Sequence, residues 1–430
     1  MIDLFAEDTD ARNINAKKIS NSRDIKDLGP NARVVAIPDT DAAQRVMARI
    51  GCDPAGIRLM RDKAVFRTIM LENISPKAAN LVKQTFLAKG GEAAIARGSA
   101  DLSISATDVL ICATLKQYRL AIAALKLQPW GLPGLAGAIE EALEASFTAM
   151  NRERHYVWSD RELKIKPGRT LVMGILNVTP DSFSDGGMFL TPDAALAQAE
   201  KMIAEGADII DIGAESTRPY GAQPISAEVE MERLLPALAK IAANCPVPIS
   251  VDTYKSKVAE EALKAGAHII NDVWGLQKDP GMADVATRFG VPVVVMHNQC
   301  GTNYERDIMS HILEFLRRSL DIGIAAGMDR DRFIIDPGIG FGKTGAQNLK
   351  VLSRLEELQS LGLPVLLGTS RKRFIGEILD AAVNDRVEGT AATVALGIVK
   401  GANIVRVHDV KAMVRVCRMI DAMLGGDKED

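Results

Sequence analysis

The sequence predicts an α/β protein: a (β/α)₈ barrel preceded by a smaller α/β N-terminal domain. After residue 170, short apolar runs of strand length recur eight times, amphipathic stretches of helical length separate them, and glycines stand where those helices would end. Eight strand-helix alternations in about 260 residues match the size and rhythm of a TIM barrel. An open doubly wound sheet is the competing architecture, but it usually stops at about five to seven strands.

The eight expected strands are 171–176, 208–212, 248–251, 268–270, 291–296, 333–335, 364–367 and 403–407. Amphipathic stretches between them predict helices at 192–205, 227–243, 256–265, 308–326, 348–361 and 387–400. Their expected ends are marked by Gly206, Gly266, Gly327, Gly362 and Gly401.

The residues before the barrel predict a separate small α/β domain. Strands are expected at 32–37, 65–71, 92–96 and 108–113, and helices at 41–50, 77–89, 115–126 and 135–150. The segment 151–168 is rich in charged residues and has little apolar periodicity. We therefore expect an N-terminal arm at 1–29, the small domain at 30–150, a linker at 151–168, the barrel at 169–424 and a polar tail at 425–430.

Composition is that of an ordinary soluble globular protein. The 430 residues are 47% hydrophobic and 25% charged, which is enough for a large core and two or three domains. A net charge of -3 gives no global attraction to nucleic acid or to an anionic membrane. The five cysteines show no paired metal spacing, the N-terminus is acidic where a signal peptide would be basic, and no apolar stretch is long enough to span a bilayer. A cytoplasmic enzyme is expected.

A barrel places its chemistry at the C-terminal ends of its strands. Each of the eight expected strands is followed at once by polar or charged residues. Capping of the next helix would explain any one case but explains eight poorly. These residues are Asn177; Asp211, Glu215, Ser216, Thr217 and Arg218; Asp252; Asn271 and Asp272; His297 and Asn298; Asp336; Thr369, Ser370, Arg371 and Lys372; and Arg406 and His408.

The loop after the first strand is dense in oxygen ligands. Residues 177–187 read Asn-Val-Thr-Pro-Asp-Ser-Phe-Ser-Asp-Gly-Gly. Pro180 and the glycines prevent a strand or helix from continuing, and the Asn and Asp side chains could present oxygens to a hard metal. An ordinary Asn/Asp-rich turn is the alternative.

Six motifs together resemble dihydropteroate synthase. They are the 177–187 loop, Gly-Ala-Glu-Ser-Thr-Arg-Pro at 213–219, Ser-Val-Asp-Thr at 250–253, Asp-Pro-Gly-Ile-Gly-Phe-Gly-Lys at 336–343, Ser-Arg-Lys at 370–372 and Arg-Val-His at 406–408. The resemblance covers about residues 170–422. It implies condensation of 6-hydroxymethyl-7,8-dihydropterin diphosphate with 4-aminobenzoate to give 7,8-dihydropteroate and diphosphate. It further implies Mg²⁺ on the leaving group, sulfonamides as competitors and a homodimer.

The resemblance assigns the pterin to Asp252, Asn271 and Asp336, with Lys372 beside the ring and Met296 and Phe341 as apolar walls. The residue chemistry agrees, because a pterin edge of N-H, amino and carbonyl groups needs carboxylate acceptors and an amide that can both donate and accept. Solvated or capping roles are the alternatives for Asp336 and Lys372. Asp272 would point to the other face of its extended segment and is expected to be structural.

Diphosphate requires cations and a hard metal. Arg406 and His408 are two residues apart, which places both side chains on one face of an extended segment and suits an anion. Asn177 would contribute an oxygen to magnesium. A satisfied core histidine is the alternative for His408.

By resemblance, two loops would close over the reacting groups. Phe183 and Pro219 would flank the aminobenzoate ring, with Ser370 and Thr217 near its carboxylate. Asp185 and Arg218 would organise the closed loops, and they are expected to be catalytic together with Lys372. Arg373 departs from the serine of some family members, so an extra cation is expected near the entrance.

Two other functions remain open from the residues. A pterin-dependent methyltransferase would use the same Asp and Asn logic but would not need a diphosphate clamp. A catalytically silent pterin-binding protein is the second alternative.

For the N-terminal domain, Lys116, Tyr118 and Arg119 could bind an anion or form a solvated basic helix start, and no P-loop is present.

Overall fold

The computed structural model describes residues 32–179, 191–215 and 224–425. The chain divides into two compact units, Met1–Pro133 and Gly134–Asp430. The boundary falls in the first turn of a long helix, about 16 residues before the domain end that the sequence suggested.

The N-terminal unit is a three-stranded antiparallel sheet with helices. Strand β3 lies between β1 and β2, and the side chains of Val109, Ile111 and Ala113 on one face of β3 are fully buried. The strands are β1 Phe66–Ile74, β2 Glu92–Ile95 and β3 Thr107–Thr114, and the helices are α1 Thr40–Ile50, α2 Pro54–Ala64, α3 Pro76–Leu87 and α4 Leu115–Leu125. The expected α/β layer is confirmed.

Two details of this unit differ from expectation. Residues 32–37 form no strand, and Val34 is fully exposed because no neighbouring strand pairs with the segment. Helix α2 was not expected, because only Ile57 of its residues is buried and apolar periodicity is therefore weak. The sequence feature that indicates this helix is its start. Asp53 accepts from the backbone N-H groups of Ala55 and Gly56, and Pro54 occupies the first turn.

The second unit contains a closed barrel of eight parallel strands, which confirms the (β/α)₈ fold and excludes the open sheet. Each observed strand begins and ends within two residues of the expected one. In chain order the strands are β6 Leu171–Asn177, β7 Ile209–Gly213, β8 Ile249–Asp252, β9 Ile269–Asp272, β10 Val293–Met296, β11 Phe333–Asp336, β12 Val365–Leu367 and β13 Ala402–Val407.

Helices surround the barrel and bury its outer face. Outward residues of the strands, such as Ile210, Val251 and Val295, pack with buried helix residues in one large apolar cluster. These helices are α6 Pro192–Ala204, α7 Ala227–Asn244, α8 Ser256–Lys264, α9 Met282–Phe289, α10 Ile308–Ala325, α11 Gly345–Ser353, α12 Arg373–Leu379, α13 Val387–Val399 and α14 Val410–Gly425. The long helix α5 Leu132–Asn151 precedes the barrel in the chain.

The segment 151–168 contains an antiparallel hairpin, so the interpretation of this segment as a linker was wrong. Its strands are β4 Arg154–Val157 and β5 Glu162–Ile165. The inward side chains Tyr156, Leu163 and Ile165 pack against the apolar residues inside the barrel. The hydroxyl of Tyr156 donates to the carbonyl of Asp331 at 2.9 Å. The hairpin therefore covers the N-terminal end of the barrel.

The barrel interior is layered. Inside the first half of the strands lie the apolar side chains of Met173, Ile209, Ile269, Val294, Ile334, Leu366 and Ile404. Because side chains alternate along a strand, the residue two positions later points to the same interior. Those next residues are Ile175, Asp211, Asn271, Met296, Asp336, Gly368 and Arg406, so a mainly polar layer lies above the apolar one.

Candidate active site

A small, partly open cleft lies above the polar layer, at the C-terminal ends of the strands. Six of the residues predicted to bind the pterin line it together. The lining consists of Asp252, Asn271, Val273, Met296, Asp336, Ile339, Phe341, Gly368, Lys372 and Arg406. The structure therefore brings these six side chains together in one cleft.

The floor of the cleft is a network of charged side chains centred on Arg406. Its Nε donates to Asp211 Oδ2 at 2.6 Å, and its Nη2 donates to Asp252 Oδ2 at 2.8 Å. Asn271 Nδ2 also donates to Asp211 Oδ2, at 3.2 Å. Both carboxylates are buried, so their pairing with one guanidinium compensates for the loss of solvation.

Two carboxylate oxygens of this network are buried without a hydrogen-bond partner among the described residues: Asp211 Oδ1 and Asp252 Oδ1. Burial raises the pKa of the Asp252 carboxyl to about 7; Arg406 opposes the rise, and the neighbouring charge of Asp211 adds to it. The floor can therefore accept hydrogen bonds from a ligand at Asp252.

Asp336 lies on the opposite wall, at the end of β11. Its Oδ1 accepts from the backbone N-H of Gly338 at 2.7 Å, and burial raises its pKa to about 6. The chain then turns through residues 337–342, where Gly338, Gly340 and Gly342 all have positive φ angles. A Cβ at Gly338 would lie 1.9 Å from the carbonyl oxygen of His297, so only glycine fits this close approach.

Lys372 lies over the ring of Phe341, with its Nζ 4.3 Å from the ring centroid. It follows Arg371, which has a φ angle of +56°, and it directly precedes helix α12. Burial lowers the pKa of Lys372 to about 8, and the positive charge of Arg406 contributes to this shift. An ammonium group and an aromatic wall thus face the cleft together.

Ser370 and His408 lie at the ends of neighbouring strands. The His408 Nδ1 is 3.0 Å from the Ser370 Oγ, and the His408 backbone N-H donates to the same oxygen at 3.1 Å. Burial lowers the pKa of His408 to about 3, with Arg406 and Arg371 adding to the shift. Arg371 is held by both oxygens of Asp409.

Asn177 is half-buried at the end of β6. Its Oδ1 faces Gly213 of β7: a Cβ at that glycine would lie 3.5 Å from Asn177 Oδ1 and 3.4 Å from the Cβ of Asp252. Gly213 of β7 thus lies in contact with both Asn177 of β6 and Asp252 of β8.

The other predicted residues fall into two groups. Asp185 and Phe183 lie in 180–190, and Thr217, Arg218 and Pro219 lie in 216–223, which are outside the described residues. Arg373 is exposed, and its Nε donates to Glu377 at 2.6 Å on helix α12. It therefore forms an ion pair along its own helix.

Asp272 is structural, as expected: its two oxygens accept from the backbone N-H groups of Trp274 and Leu276.

Asp211 is a site residue to which the sequence analysis assigned no role. The sequence could have indicated this role, because Asp211 is a carboxylate within the buried strand Ile-Ile-Asp-Ile-Gly. It is two residues after Ile209 and therefore on the interior face.

Residues 173–408 match the family model described as pterin binding enzyme. The Bacillus subtilis dihydropteroate synthase is 57% identical over 256 residues, which is 60% of this chain and 89% of that protein. The chain belongs to the dihydropteroate synthases. It is therefore a transferase of folate synthesis that makes dihydropteroate, as the motifs predicted.

Solved structures agree with this assignment. The Clostridium difficile dihydropteroate synthase solved in the presence of pteroic acid is 51% identical, with a TM-score of 0.58 over 59% of this chain and 97% of that chain. The Xanthomonas albilineans enzyme with 4-aminobenzoic acid is 42% identical, with a TM-score of 0.60 over 63% of this chain and 98% of that chain. The enzyme thus shares its barrel with these proteins.

The similarity to one further relative extends beyond the barrel. A probable bifunctional folylpolyglutamate synthase/dihydropteroate synthase of Halobacterium salinarum is 38% identical over 401 residues, covering 91% of this chain and 47% of that protein. A match of this length exceeds the barrel unit, so it includes most of the N-terminal unit.

None of the described helices is both long and apolar enough to cross a membrane.

Proposed function

We propose that the cleft binds the pterin ring of 6-hydroxymethyl-7,8-dihydropterin diphosphate edge-on against Asp252, Asn271 and Asp336. The observation that carries this proposal is the convergence of these three polar groups in one buried layer. The carboxylates accept from the amino and ring N-H groups, and the amide of Asn271 both donates and accepts. Met296 and Phe341 form the apolar walls.

The diphosphate binds next to the pterin, at the ends of β6 and β13. Arg406 uses Nε and Nη2 on the floor carboxylates, so Nη1 is the nitrogen that can reach an anion. His408 is neutral because its pKa is lowered to about 3, and it contributes a ring N-H to the leaving group. Lys372 adds a positive charge next to the ring.

The residues present fit a magnesium ion at Asn177. No group of three or more His, Cys, Asp or Glu side chains among the described residues could hold a metal. A single amide oxygen suits Mg²⁺, which typically keeps several waters and binds substrate phosphates through its other positions. The ion would supply charge neutralisation for the departing diphosphate.

In the proposed reaction the bond between the pterin methylene carbon and the diphosphate oxygen breaks, and both electrons leave with diphosphate. The dihydropterin ring delocalises the resulting cation. The uncharged amine of 4-aminobenzoate then forms the new C-N bond and loses one proton. Arg406, His408 and Lys372 stabilise the developing negative charge, and this electrostatic contribution is usually the largest in such sites.

The 4-aminobenzoate carboxylate is proposed to bind near Ser370, with Phe183, Thr217 and Pro219 completing its site and Asp185 and Arg218 organising the loops. The Xanthomonas albilineans enzyme was solved with 4-aminobenzoic acid and the Yersinia pestis enzyme with a sulfonamide drug, which supports these two compounds as ligands. Sulfonamides are accordingly expected to compete with 4-aminobenzoate.

A homodimer and a cytoplasmic location complete the proposal. Leu396 and Val399 of α13 and Met419 and Met423 of α14 are exposed apolar side chains on adjacent barrel helices, which suits a subunit interface. The five cysteines are free, which suits a reducing compartment.

The test is diphosphate release by the full chain, given magnesium, the pterin diphosphate and 4-aminobenzoate, in wild type and in Asp252→Asn and Lys372→Ala variants. Release should require both substrates, and each variant should lower kcat/KM by roughly 100-fold or more. Asp284→Asn, an exposed carboxylate on α9, is the matched control and should be unchanged.

Pterin binding without release would contradict the catalytic proposal and support a silent binding protein. Wild-type activity in Asp252→Asn would show that the pterin lies elsewhere. Magnesium should bind measurably only with diphosphate present, and tight binding of magnesium to the free protein would contradict the assignment to Asn177.

A further inference from the structure

A buried lysine lies behind the wall of the pterin pocket, and the chemistry proposed above does not use it. Lys343 directly follows the glycine loop 337–342, and only 7% of its surface is exposed. Its Nζ lies 2.8 Å from His297 Nδ1, 2.9 Å from the carbonyl oxygen of Gly338 and 3.1 Å from that of Phe341. The three acceptors match the three hydrogens of its ammonium form; burial lowers the pKa of Lys343 to about 7, and the charge of Asp336 opposes the shift.

The two carbonyls belong to the segment that forms the pocket wall. The N-H of Gly338 donates to Asp336, and Phe341 provides the ring beneath Lys372. The N-H of Gly340 donates to Asn348 Oδ1 at 2.7 Å. Lys343 and Asn348 thus hold the loop from behind, while its front faces the cleft.

His297, the third acceptor of Lys343, is itself fixed by neighbouring side chains. Because His297 Nδ1 accepts from Lys343, its ring carries the proton on Nε2, which lies 3.1 Å from His311 Nδ1. His297 is fully buried between the rings of Tyr304 and Phe315. Its pKa is lowered to about 2 by burial and by the charge of Lys343, so it stays neutral and remains an acceptor.

We propose that Lys343 is a positioning residue of the pterin pocket, acting through Gly338 and Phe341 and held by His297. The proposal rests on the pterin assignment given above. A glycine loop without this ammonium group would sample more conformations in the free enzyme. Pterin binding would then have to order the loop, which weakens binding of this one substrate.

The experiment compares Lys343→Met with Lys350→Met in the full chain. Met keeps the aliphatic length and removes the ammonium group; Lys350 is a half-exposed lysine on the following helix, paired with Asp307. We expect Lys343→Met to raise the KM for the pterin diphosphate about tenfold, with kcat within about threefold and the KM for 4-aminobenzoate within about twofold. Lys350→Met should change none of them.

Two variants of His297 test the same proposal if Lys343→Met does not fold. His297→Asn places an amide oxygen near the position of Nδ1 and keeps the acceptor, whereas His297→Leu removes it. His297→Leu should raise the pterin KM about three- to fivefold, and His297→Asn should stay within about twofold of wild type.

A fall in thermal stability with both KM values unchanged would show a purely structural lysine and overturn the proposal. Equal KM values for the pterin in His297→Leu and His297→Asn would also overturn it. Wild-type protein without turnover would instead refute the proposed function, so the two failures are distinguishable.

Discussion

Arg406 and Asp211 are 195 residues apart in the sequence, yet Arg406 Nε donates to Asp211 Oδ2 at 2.6 Å in the floor of the pocket. The same oxygen accepts from Asn271, so Asp211 orients two groups assigned to substrate. Asp211 itself is fully buried. Its role is therefore to position Arg406 and Asn271.

Replacing Asp211 with Asn should lower kcat/KM by roughly two to three orders of magnitude. Loss of one partner of a buried ion pair costs about 3–5 kcal/mol; in this variant Arg406 keeps Asp252 on Nη2 but loses the carboxylate that fixes its Nε. Steady-state kinetics with both substrates measures the loss. The exposed control Asp284→Asn should be normal, and a normal Asp211→Asn enzyme would show that Asp252 alone positions Arg406.

Asp252→Asn should gain stability relative to wild type as pH rises. Because the folded pKa of Asp252 is about 7, above its unfolded value, its stabilising contribution is present below about pH 4 and is lost as pH rises through 7. Asn does not titrate. The difference in Tm, variant minus wild type, should therefore increase between pH 5 and 8 by several degrees, at about 2–4 °C per kcal/mol.

This difference is measured by thermal unfolding of substrate-free protein across that pH range. Glu261→Gln, at a half-exposed carboxylate on α8 that pairs with Lys264, should show no such trend. A difference that falls with pH would mean that Arg406 dominates and that the pKa is lowered.

Gly338→Ala should destabilise the protein far more than Gly290→Ala. Both glycines have positive φ angles, +68° and +63°, so both alanines carry the backbone penalty of about 1 kcal/mol. Only at Gly338 does the added Cβ meet a backbone oxygen, at 1.9 Å; at Gly290 nothing lies within 4 Å. We expect a loss of at least about 3 kcal/mol for Gly338→Ala, because the backbone must move.

Urea denaturation of both variants measures this difference. Pterin affinity should fall only in Gly338→Ala, since the displaced segment carries Phe341. Equal losses of stability in the two variants would mean that the loop can shift freely away from His297.

The hairpin is tested at Tyr156. Tyr156→Ala should cost about 3–5 kcal/mol, because it leaves a cavity where the ring packs into the barrel. Tyr156→Phe loses only the hydrogen bond to Asp331 and should cost about 1 kcal/mol. Denaturant unfolding measures both. Catalysis by the folded protein should be normal, since the hairpin covers the end opposite the cleft, and an unchanged stability of Tyr156→Ala would restore the linker interpretation.

Much of the site could be predicted because strand periodicity is local information. Ile269 and Asn271, or Ile334 and Asp336, are two residues apart, so a reader of the sequence can place the second above the first. The pairing of Asp211 with Arg406 could not be predicted in this way. It depends on barrel closure, which brings distant strands together and is not encoded in any short motif.

The hairpin was missed for a different reason. Its strands have four residues each, and the alternation is broken twice: the inward position 154 is an arginine and the outward position 157 is a valine. Only Tyr156, Leu163 and Ile165 are apolar residues at inward positions. Such short alternation is indistinguishable from a polar linker. Lys343 was equally hidden, because a lysine at the end of a glycine loop ordinarily faces solvent.

Asp252 Oδ1 is buried and has no hydrogen-bond partner within residues 32–179, 191–215 and 224–425, and this has a consequence for the design of inhibitors. A ring that presents an N-H at this point gains a hydrogen bond, whereas an isostere that presents a carbon or a lone pair leaves a buried carboxylate oxygen without a partner. Sites of this kind reject the wrong analogue by about 10⁴- to 10⁵-fold. Compounds aimed at the cleft should therefore be ranked first by whether they keep that donor, and only then by shape.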